Sequence, residues 1–287
     1  MSFKQRLAKV CSIDEKLLPG SYQIIGDVLL LKFMKIDRLS RKKSIAAAIL
    51  DLLPYVKTVC EISRVESEFR IPRIMKLAGN GTVTTHREHD ILYRLDASKI
   101  MFSKGNLFER QRLIKIVKPN ETVVDMFAGI GYFSLGLAKR VKKVIAIEKN
   151  PLAFGYMKEN IKLNKINNIE PILGDNRKLT INGIADRIIM GYFQTDRRRQ
   201  LDVPKVRHFV GAPNGSERFL PFAVKMLKNK GVIHFHNVYR KDELWHLAFN
   251  QLEKNISGVT YRILSKKKVK SVAPNTYHVV IDMVVRK

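Results

Sequence analysis

Residues 123–133 read Val-Val-Asp-Met-Phe-Ala-Gly-Ile-Gly-Tyr-Phe, and this stretch decides the fold. An apolar strand runs into Asp125, and a turn with two glycines then leads to a helix predicted for residues 134–140. Gly129 and Gly131 have no Cβ atom, so the turn can adopt positive φ angles and a ligand can approach the backbone closely at the start of the helix. The stretch therefore predicts a nucleotide pocket.

Two further strands end in polar residues at the spacing expected for such a pocket. Glu148 follows an apolar strand over 144–147, where its carboxylate can accept hydrogen bonds from both ribose hydroxyls. Asp175 and Asn176 follow a third strand over 170–174. Because the carboxyl ends of consecutive strands converge in a doubly wound sheet, these loops are expected to form one crevice.

The glycine turn differs from the dinucleotide fingerprint Gly-x-Gly-x-x-Gly, because Ser134 stands where the third glycine would be. The alternative is a strand, a turn and a helix whose glycines serve only to reverse the chain. The agreement of Asp125, Glu148 and Asp175 with one crevice favours the ligand pocket.

The charge of the chain predicts a nucleic acid partner. There are 53 Lys and Arg against 26 Asp and Glu, which gives a net charge of +27 and a pI of about 10.1, above the value of roughly 9 used for nucleic-acid-binding domains. Any one cluster is what a solvated surface shows, and lysine enrichment also accompanies growth at high temperature. An excess of 27 charges would repel itself without a polyanion. The clusters are Arg38, Arg41, Lys42 and Lys43; Lys139, Arg140, Lys142 and Lys143; Arg197–Arg199; and Lys266–Lys268 with Lys270.

Other features of the chain predict a cytoplasmic protein, and we expect it to be a monomer. No run of about 18 apolar residues is present, as a membrane span would need, and Met1–Asp14 lacks the apolar stretch of a signal peptide. The two cysteines, Cys11 and Cys60, support neither a disulfide framework nor a cysteine metal site, so a reducing compartment is expected.

The length of 287 residues favours two domains, which we place at 1–100 and 101–287. The first is predicted to be a small α+β domain that binds or positions RNA. Turn residues and apolar runs predict strands over 22–25, 28–33, 56–63 and 92–95, a helix over 41–53, and a hairpin over 65–90 whose turn is Gly79-Asn80-Gly81.

The second domain is predicted to be a Rossmann-like doubly wound sheet, because strands and helices alternate along it. The polar stretch 194–216 exceeds ordinary loops and is either a substrate-facing loop or partly disordered. Helices are predicted over 106–117, 134–140, 151–164 and around 218–227; parallel strands over 123–125, 144–147, 171–173, 186–190 and 232–236; and an antiparallel end over 261–264 and 277–285.

Three stretches resemble class I S-adenosylmethionine-dependent transferases that modify guanosine 37 of transfer RNA in archaea and eukaryotes. Ser21–Lys32 resembles a strand pair of their middle domain. Residues 102–106 with Glu109-Arg110 resemble the stretch ahead of their catalytic domain, and 125–133 resembles their cofactor turn. Some of those enzymes carry a further small domain ahead of the middle one; this chain starts too close to Ile24 for it, so fewer tRNA contacts are expected.

The resemblance implies S-adenosylmethionine as the group donor, no metal, and phenylalanine tRNA as the partner, contacted at its anticodon loop. It assigns Ser103 and Arg110 to the methionine end of the cofactor, where Arg110 could make a bidentate contact to the carboxylate. Glu148 is assigned to the ribose and Asp175 to the adenine amino group. The full set expected to bind the cofactor is Ser103, Arg110, Asp125, Phe127, Ala128, Gly129, Gly131, Glu148, Asp175 and Asn176.

Two subfamilies share this plan, and residues 190–193 separate them. Guanine N1-methyltransferases have Pro after the second glycine and an Asn-Leu-Pro-type motif after the fourth strand, whereas this chain has Tyr132 and Met-Gly-Tyr-Phe. Gly191 and Tyr192 there resemble the wybutosine-pathway enzymes that transfer the 3-amino-3-carboxypropyl group to a tricyclic precursor. The resemblance thus implies this transfer, with Gly191, Tyr192 and Tyr132 as positioning residues.

Two alternatives remain open at this point. One is methylation of guanosine 37 at N1, alone or together with a second kind of base at that position. The other is a basic RNA-binding protein that keeps only a vestigial cofactor fold.

Several histidines and aromatic residues have more than one interpretation. His86 and His89 have a spacing that suits a metal, but their charged surroundings favour solvated residues. His234 and His236 alternate on a strand and point to one face, as core or supporting histidines. Trp245 and Tyr239 could stack bases, although apolar packing is favoured.

Overall fold

A computed structural model describes residues 1–66, 69–192 and 215–287. The chain forms two compact units, Met1–Ser103 and Lys104–Lys287. None of the helices in these described ranges combines the length and the apolar character needed to cross a membrane.

The N-terminal unit has a four-stranded sheet covered by two helices. Its strand order is β1-β2-β3-β4, with β2 and β3 parallel and the other pairs antiparallel, and β5 and β6 form a separate antiparallel pair. Ile45 and Ile49 of α2 lie in one apolar core with Leu29 and Val59 of the sheet. The elements are α1 (Phe3–Cys11), β1 (Tyr22–Ile25), β2 (Val28–Leu31), α2 (Leu39–Leu52), β3 (Thr58–Glu66), β4 (Ile71–Gly79), β5 (Val83–Glu88) and β6 (Ile91–Asp96).

The predicted hairpin around residues 79–81 is wrong. β4 pairs with the preceding strand β3, and β5 pairs with β6. The two arms of the predicted hairpin therefore lie in different sheets. Gly79 has a φ of +91°, and a Cβ there would lie 2.1 Å from the carbonyl oxygen of Lys57. The chain at Gly79 therefore closes tightly on the start of β3.

His86 is also not the solvated residue that its charged neighbours suggested. Its Nδ1 accepts a hydrogen bond from the backbone N–H of Gly26 at 3.1 Å, and its ring packs edge-on against Phe102 with a centroid distance of 4.8 Å. Thr84 adds a hydrogen bond of 2.6 Å to Asp27. The hairpin of β5 and β6 is therefore fastened to the turn between β1 and β2.

The C-terminal unit is the predicted Rossmann-like α/β sheet. Its strand order is β12-β13-β11-β10-β7-β8-β9. β11, β10, β7, β8 and β9 are parallel, and β13 runs antiparallel to β11 and β12, as predicted for the C-terminal end. The elements are α3 (Leu107–Ile116), β7 (Thr122–Asp125), α4 (Ser134–Ala138), β8 (Lys143–Glu148), α5 (Pro151–Leu163), β9 (Ile169–Leu173), β10 (Ala185–Met190), α6 (Leu220–Met226), β11 (Leu227–Arg240), α7 (His246–Asn255), β12 (Thr260–Ala273) and β13 (Thr276–Arg286).

Two parts of this unit differ from the expectation. The helix predicted around 218–227 is a 3-10 turn over Ser216–Phe219 followed by the short α6, which begins where Pro221 suits a first helical turn. The chain then enters β11 at Leu227. The helix α7 was not predicted, and it follows Trp245, whose φ is +66°.

Candidate active site

The crevice of the C-terminal unit lies where the strand order reverses. The chain passes from β7 to β8 and β9 on one side, and then returns to β10 and β11 on the other side of β7. Loops leaving β7 and β10 therefore separate, and ligands bind at such a switch point in open α/β sheets. The structure places Asp125 at the end of β7, Glu148 at the end of β8 and Gly191 just after β10.

The glycine turn needs both of its glycines. Gly129 has a φ of +58° and Gly131 a φ of +96°, which side chains other than glycine rarely adopt. A Cβ on Gly129 would lie 2.6 Å from Cε2 of Tyr132, and the N–H of Gly131 donates to the carbonyl of Ala128 at 2.8 Å. The N–H of Ala128 in turn donates to Ile147 on β8 at 2.9 Å. The turn is thus tightly closed and tied to the neighbouring strand.

Glu148 is held at the rim of this turn by two backbone groups. Its Oε2 accepts a hydrogen bond from the N–H of Gly129, and its Oε1 accepts one from the N–H of Asn150, both at 2.7 Å. Burial raises the pKa of the Glu148 carboxyl, and these hydrogen bonds oppose that effect. Each oxygen keeps a further lone pair with which it can accept a ligand hydroxyl.

Asp125 is fully buried and bonds to the turn itself. Its Oδ2 accepts from the hydroxyl of Ser134 at 2.7 Å, and its Oδ1 accepts from the N–H of Phe127 at 3.3 Å. Burial raises the pKa of Asp125 to about 6, against the lowering effect of these hydrogen bonds. The side chain therefore shapes the turn from beneath.

Asp175 and Asn176 have different environments although they are neighbours. Asp175 makes ion pairs with Arg177 at 2.5 Å and Lys149 at 3.7 Å, and the hydrogen bonds from Arg177 hold the pKa of this carboxyl well below its usual range. Asn176 is buried, and its Nδ2 donates to the carbonyl of Met126 at 2.8 Å. Its Oδ1 is buried without a hydrogen-bond partner among the described residues. A buried acceptor of this kind is suited to a ligand donor.

Aromatic rings line the crevice next to these polar groups. Phe127 stacks on Tyr192 with centroids 5.0 Å apart, and the ring of Phe219 packs edge-on against Phe127 at 4.8 Å and Tyr192 at 5.8 Å. The guanidinium of Arg177 lies 5.3 Å from the Phe219 ring. Nothing in the sequence pattern singled out Phe219, because it stands in a stretch that looked helical.

Gly191 lies beside Phe133, the residue immediately before helix α4. A Cβ on Gly191 would lie 2.8 Å from Cε2 of Phe133, so the ring occupies the space that a side chain would need. Tyr132, beside Phe133, packs close to Gly129. Phe193, the stretch 194–214 and the cluster Arg197–Arg199 lie outside the described residues.

The remaining predicted residues, Ser103 and Arg110, belong to different units of the chain. Arg110 is buried on α3 in the C-terminal unit, and Ser103 is the last residue of the N-terminal unit.

A buried ionic network beneath α3 was not predicted from the sequence. Arg112 binds Glu109 at 2.8 and 2.7 Å and Asp282 at 2.6 and 3.1 Å. Asp282 also contacts Nδ1 of His234 at 2.5 Å, and Arg187 contacts Nε2 of the same ring at 2.6 Å. Because Arg187 can only donate, Nε2 of His234 accepts and its Nδ1 carries the proton toward Asp282. His234 is thus a satisfied core histidine.

His236 lies beside this network at the carboxyl end of the sheet. Its Nδ1 is 3.0 Å from Nε2 of His278, and its Nε2 is 3.5 Å from Glu109. Burial lowers the pKa of His236 to about 3, so the ring is neutral. Tyr239 is also a core residue, with its hydroxyl donating to Gln251 at 2.6 Å. Across the described ranges no cluster of three or more His, Cys, Asp or Glu is placed to hold a metal ion.

Two protein-family descriptions match the chain. "TRM5/TYW2 methyltransferase domain" matches residues 84–201, and "TYW2 N-terminal domain" matches residues 3–82. A tRNA(Phe) (4-demethylwyosine(37)-C(7)) aminocarboxypropyltransferase of Methanocaldococcus jannaschii is 38% identical over 91% of this chain and 96% of its own length. The protein of the same name from Pyrococcus horikoshii is 39% identical over 93% and 90%. The tRNA (guanine(37)-N(1))-methyltransferase Trm5b of Pyrococcus abyssi is 36% identical over 93% and 75%.

Solved structures give the same two groups. The crystal structure of P. horikoshii TYW2 in complex with MeSAdo has a TM-score of 0.80 and 36% identity, covering 99% of this chain and 100% of that chain. Trm5b from P. abyssi has a TM-score of 0.78 and 33% identity over 95% and 77%. The complex of aTrm5 and tRNALeu has a TM-score of 0.78 and 32% identity over 99% and 78%.

Proposed function

The chain belongs to the TRM5/TYW2 family, and we propose that it transfers the 3-amino-3-carboxypropyl group of S-adenosylmethionine to the tricyclic wyosine precursor at position 37 of phenylalanine tRNA, releasing methylthioadenosine. The observation that carries this proposal is the match, over nearly the full length of both proteins, to two relatives named for that reaction. The match of residues 3–82 to a TYW2 N-terminal domain supports it.

The crevice fits S-adenosylmethionine by the chemistry of its groups. Glu148 is oriented by two backbone N–H groups and is proposed to accept from the ribose hydroxyls. The buried Oδ1 of Asn176 offers an acceptor to the adenosine part, and Asp175 is proposed for the adenine amino group. Phe127, Ala128, Gly129 and Gly131 would form the turn against the ligand, with Asp125 supporting it. Ser103 and Arg110 are proposed for the methionine end.

The choice of the transferred group rests on positioning. S-adenosylmethionine supplies three electrophilic carbons on one sulfonium, so the carbon held in line with the nucleophile is the one transferred. Gly191, Tyr192 and Tyr132 are the proposed positioning residues: Tyr192 presents an aromatic face beside Phe127, and Gly191 adds no polar group. Deprotonation of guanine N1 would need a side chain that accepts a proton. Methylation of guanosine 37 is therefore the less favoured reaction.

Two labelled forms of the cofactor test the proposal. The protein is incubated with phenylalanine tRNA that carries either unmodified guanosine 37 or the tricyclic precursor, and with cofactor labelled in the methyl or in the carboxypropyl group. We expect label in the RNA only from the carboxypropyl group and only with the precursor. Methyl label alone would show the Trm5-type reaction, and tight RNA binding without any transfer would show a vestigial cofactor fold.

We also propose the RNA contact, the oligomeric state and the compartment of the protein. The RNA contact is proposed at the anticodon loop, with residues 1–100 helping to position the RNA, and the protein is proposed to act as a monomer in the cytoplasm. The two free cysteines, Cys11 and the buried Cys60, are consistent with a reducing compartment. Sedimentation of the protein alone and with tRNA tests the monomer, which would give one protein per complex.

A further inference from the structure

Three strands of the C-terminal sheet extend past the crevice. Met190, the last residue of β10, pairs with Phe235, which pairs with Ile281 and through it with Lys266. β11, β13 and β12 all continue beyond this level as an antiparallel ribbon. We call residues 237–240, 267–273 and 276–280 the strand extension. At about 3.3 Å per residue it extends roughly 15 to 20 Å past the end of β10.

The outer strand of this extension is strongly basic. Residues 260–273 contain Arg262, Lys266, Lys267, Lys268 and Lys270 and no Asp or Glu. β12 is also the edge strand of the seven-stranded sheet. Lys266, Lys267 and Lys268 are exposed and make no ion pair with any other residue that the structure describes. We call Lys266, Lys267, Lys268 and Lys270 the lysine edge.

Aromatic rings support two of these lysines. The ammonium group of Lys266 lies 5.2 Å from the rings of both Trp245 and Phe249, and that of Lys268 lies 4.6 Å from the ring of Tyr277. Such contacts restrain the long side chains while the charge stays at the surface. Trp245, which could have stacked on a base, here contacts the ammonium group of Lys266.

The lysine edge lies at the same end of the sheet as the crevice. β12 is antiparallel to β13, which is antiparallel to β11, so the carboxyl end of β12 lies with the carboxyl ends of the parallel strands. A Cβ on Gly105 would lie 2.8 Å from Cδ of Lys270, so this lysine packs on the turn that begins α3, the helix of Arg110. The lysines therefore flank the proposed cofactor site.

We propose that the lysine edge binds the phosphate backbone of the tRNA whose position 37 enters the crevice. This rests on the proposed function for the identity of the RNA. Lysines act as point charges toward phosphates, and phosphate contacts carry no sequence information, so the contact would orient the RNA and leave base selection to the crevice. The absence of acidic residues from the strand removes the competition that a solvated, mixed-charge face would provide.

The test compares two double variants of equal charge. Lys267→Gln with Lys268→Gln removes two charges from the lysine edge. Lys165→Gln with Lys230→Gln removes two exposed charges from the opposite end of the same sheet, where the parallel strands begin. The dissociation constant of phenylalanine tRNA is measured against KCl concentration for each, together with the affinity for S-adenosylmethionine.

We expect the lysine-edge pair to weaken tRNA binding by roughly tenfold or more at 0.1 M salt, and to reduce the slope of log K against log salt by about 1.4 to 1.8, because each phosphate contact contributes about 0.7 to 0.9. The control pair should lose much less, and cofactor affinity should stay unchanged in both. Lys267→Arg with Lys268→Arg keeps the charge and should bind tRNA nearly as the wild type does.

Three results would overturn the proposal: equal losses in the two Gln pairs, unchanged binding by the lysine-edge pair, or equal losses in the Gln and Arg pairs, which would reveal a structural defect. These results are separable from the fate of the proposed function. A wild type that makes no aminocarboxypropyl product while the lysine edge still governs tRNA binding would contradict only the reaction.

Discussion

Glu148 combines two tasks, because the same carboxylate anchors the glycine turn and is proposed to bind the ribose. We predict that Glu148→Ala lowers the affinity for S-adenosylmethionine by about 1 to 3 kcal/mol, the range for polar groups left unpaired in a buried site, while tRNA binding is kept. Calorimetry measures this. Glu170→Ala is the matched control, since Glu170 is an exposed acid on the neighbouring strand that forms an ion pair with Lys143. Unchanged cofactor affinity in Glu148→Ala would remove Glu148 from the site.

Gly191 is the residue at which the base pocket is predicted to differ from that of the methyltransferases. Gly191→Asn should reduce aminocarboxypropyl transfer without conferring methylation, because it adds a polar group where the tricyclic ring would stack and does not turn the cofactor. Its Cβ must also displace the ring of Phe133. Gly191→Ala introduces that displacement alone, so we expect the Asn variant to lose at least several-fold more activity in single-turnover assays. Undiminished transfer by Gly191→Asn would show that this loop does not line the base pocket.

The buried Asp125 makes a contribution to the stability of the folded protein that decreases as the pH rises. Burial raises its pKa to about 6 from an ordinary value of 3.8. Between these values the unfolded chain has released the proton while the folded chain holds it, so this contribution to stability is present below about pH 4 and is lost as pH rises through 6. The contribution of Asp125 that is lost in this way amounts to on the order of 3 kcal/mol, at 1.36 kcal/mol for each pKa unit.

Denaturant unfolding of the wild type and of Asp125→Asn at pH 4 and pH 7 measures this term. The stability of the wild type relative to the variant should be higher at pH 4 than at pH 7. A difference that is the same at both pH values would mean that Asp125 is already ionised in the folded protein at pH 4.

At the scale of elements, buried ion pairs, in addition to apolar packing, connect α3 to the sheet. Arg112 joins Glu109 on the helix to Asp282 on β13, and Asp282 also holds His234 and Ser265. Arg110 lies two residues before Arg112 on the same helix. The network therefore fixes the helix that carries the residue proposed for the methionine end.

We predict that Asp282→Asn destabilises the protein by about 3 to 5 kcal/mol, because removal of one partner leaves the buried charge of Arg112 poorly compensated. Asp242→Asn is the control: Asp242 is an exposed acid paired with the exposed Arg240, and its loss should leave the unfolding midpoint nearly unchanged. Equal unfolding midpoints for the two variants would mean that the network contributes little. Urea unfolding monitored by circular dichroism measures both.

Local sequence patterns predict well those elements whose formation depends on neighbouring residues. The strand, glycine turn and helix over 122–138 follow from apolar residues and two glycines, and Gly26-Asp27 separates β1 from β2 as expected. The turn at Gly79-Asn80-Gly81 has the same local signal but a different outcome. The partner of β4 is β3, and no pattern in a single sequence states which strands pair over distance.

The same limit applies to the candidate site. The positions of Asp125, Glu148 and Asn176 at one end of the sheet could be predicted because each stands at, or just after, the end of a strand. Phe219 and the network of Arg112 and Asp282 could not, because their contacts join residues far apart in the chain: Arg112 and Asp282 are separated by 170 positions. The crevice polar groups are therefore predictable from strand order, whereas its supporting contacts are properties of the packed structure.

At the scale of the whole molecule, charge and chemistry are arranged at one end of one sheet. The carboxyl ends of the parallel strands carry the proposed cofactor site, and the basic end of β12 lies at the same edge. Part of the net charge of +27 therefore lies at a specific position, the end of the sheet that carries the proposed cofactor site.

The identity of the cofactor product tests the central claim most directly. The protein is incubated under single-turnover conditions with S-adenosylmethionine and phenylalanine tRNA carrying the tricyclic precursor, and the released adenosine compound is separated by chromatography. Transfer of the aminocarboxypropyl group predicts one methylthioadenosine for each modified tRNA. S-adenosylhomocysteine in that amount would contradict the account, because it is formed only when the methyl group is transferred.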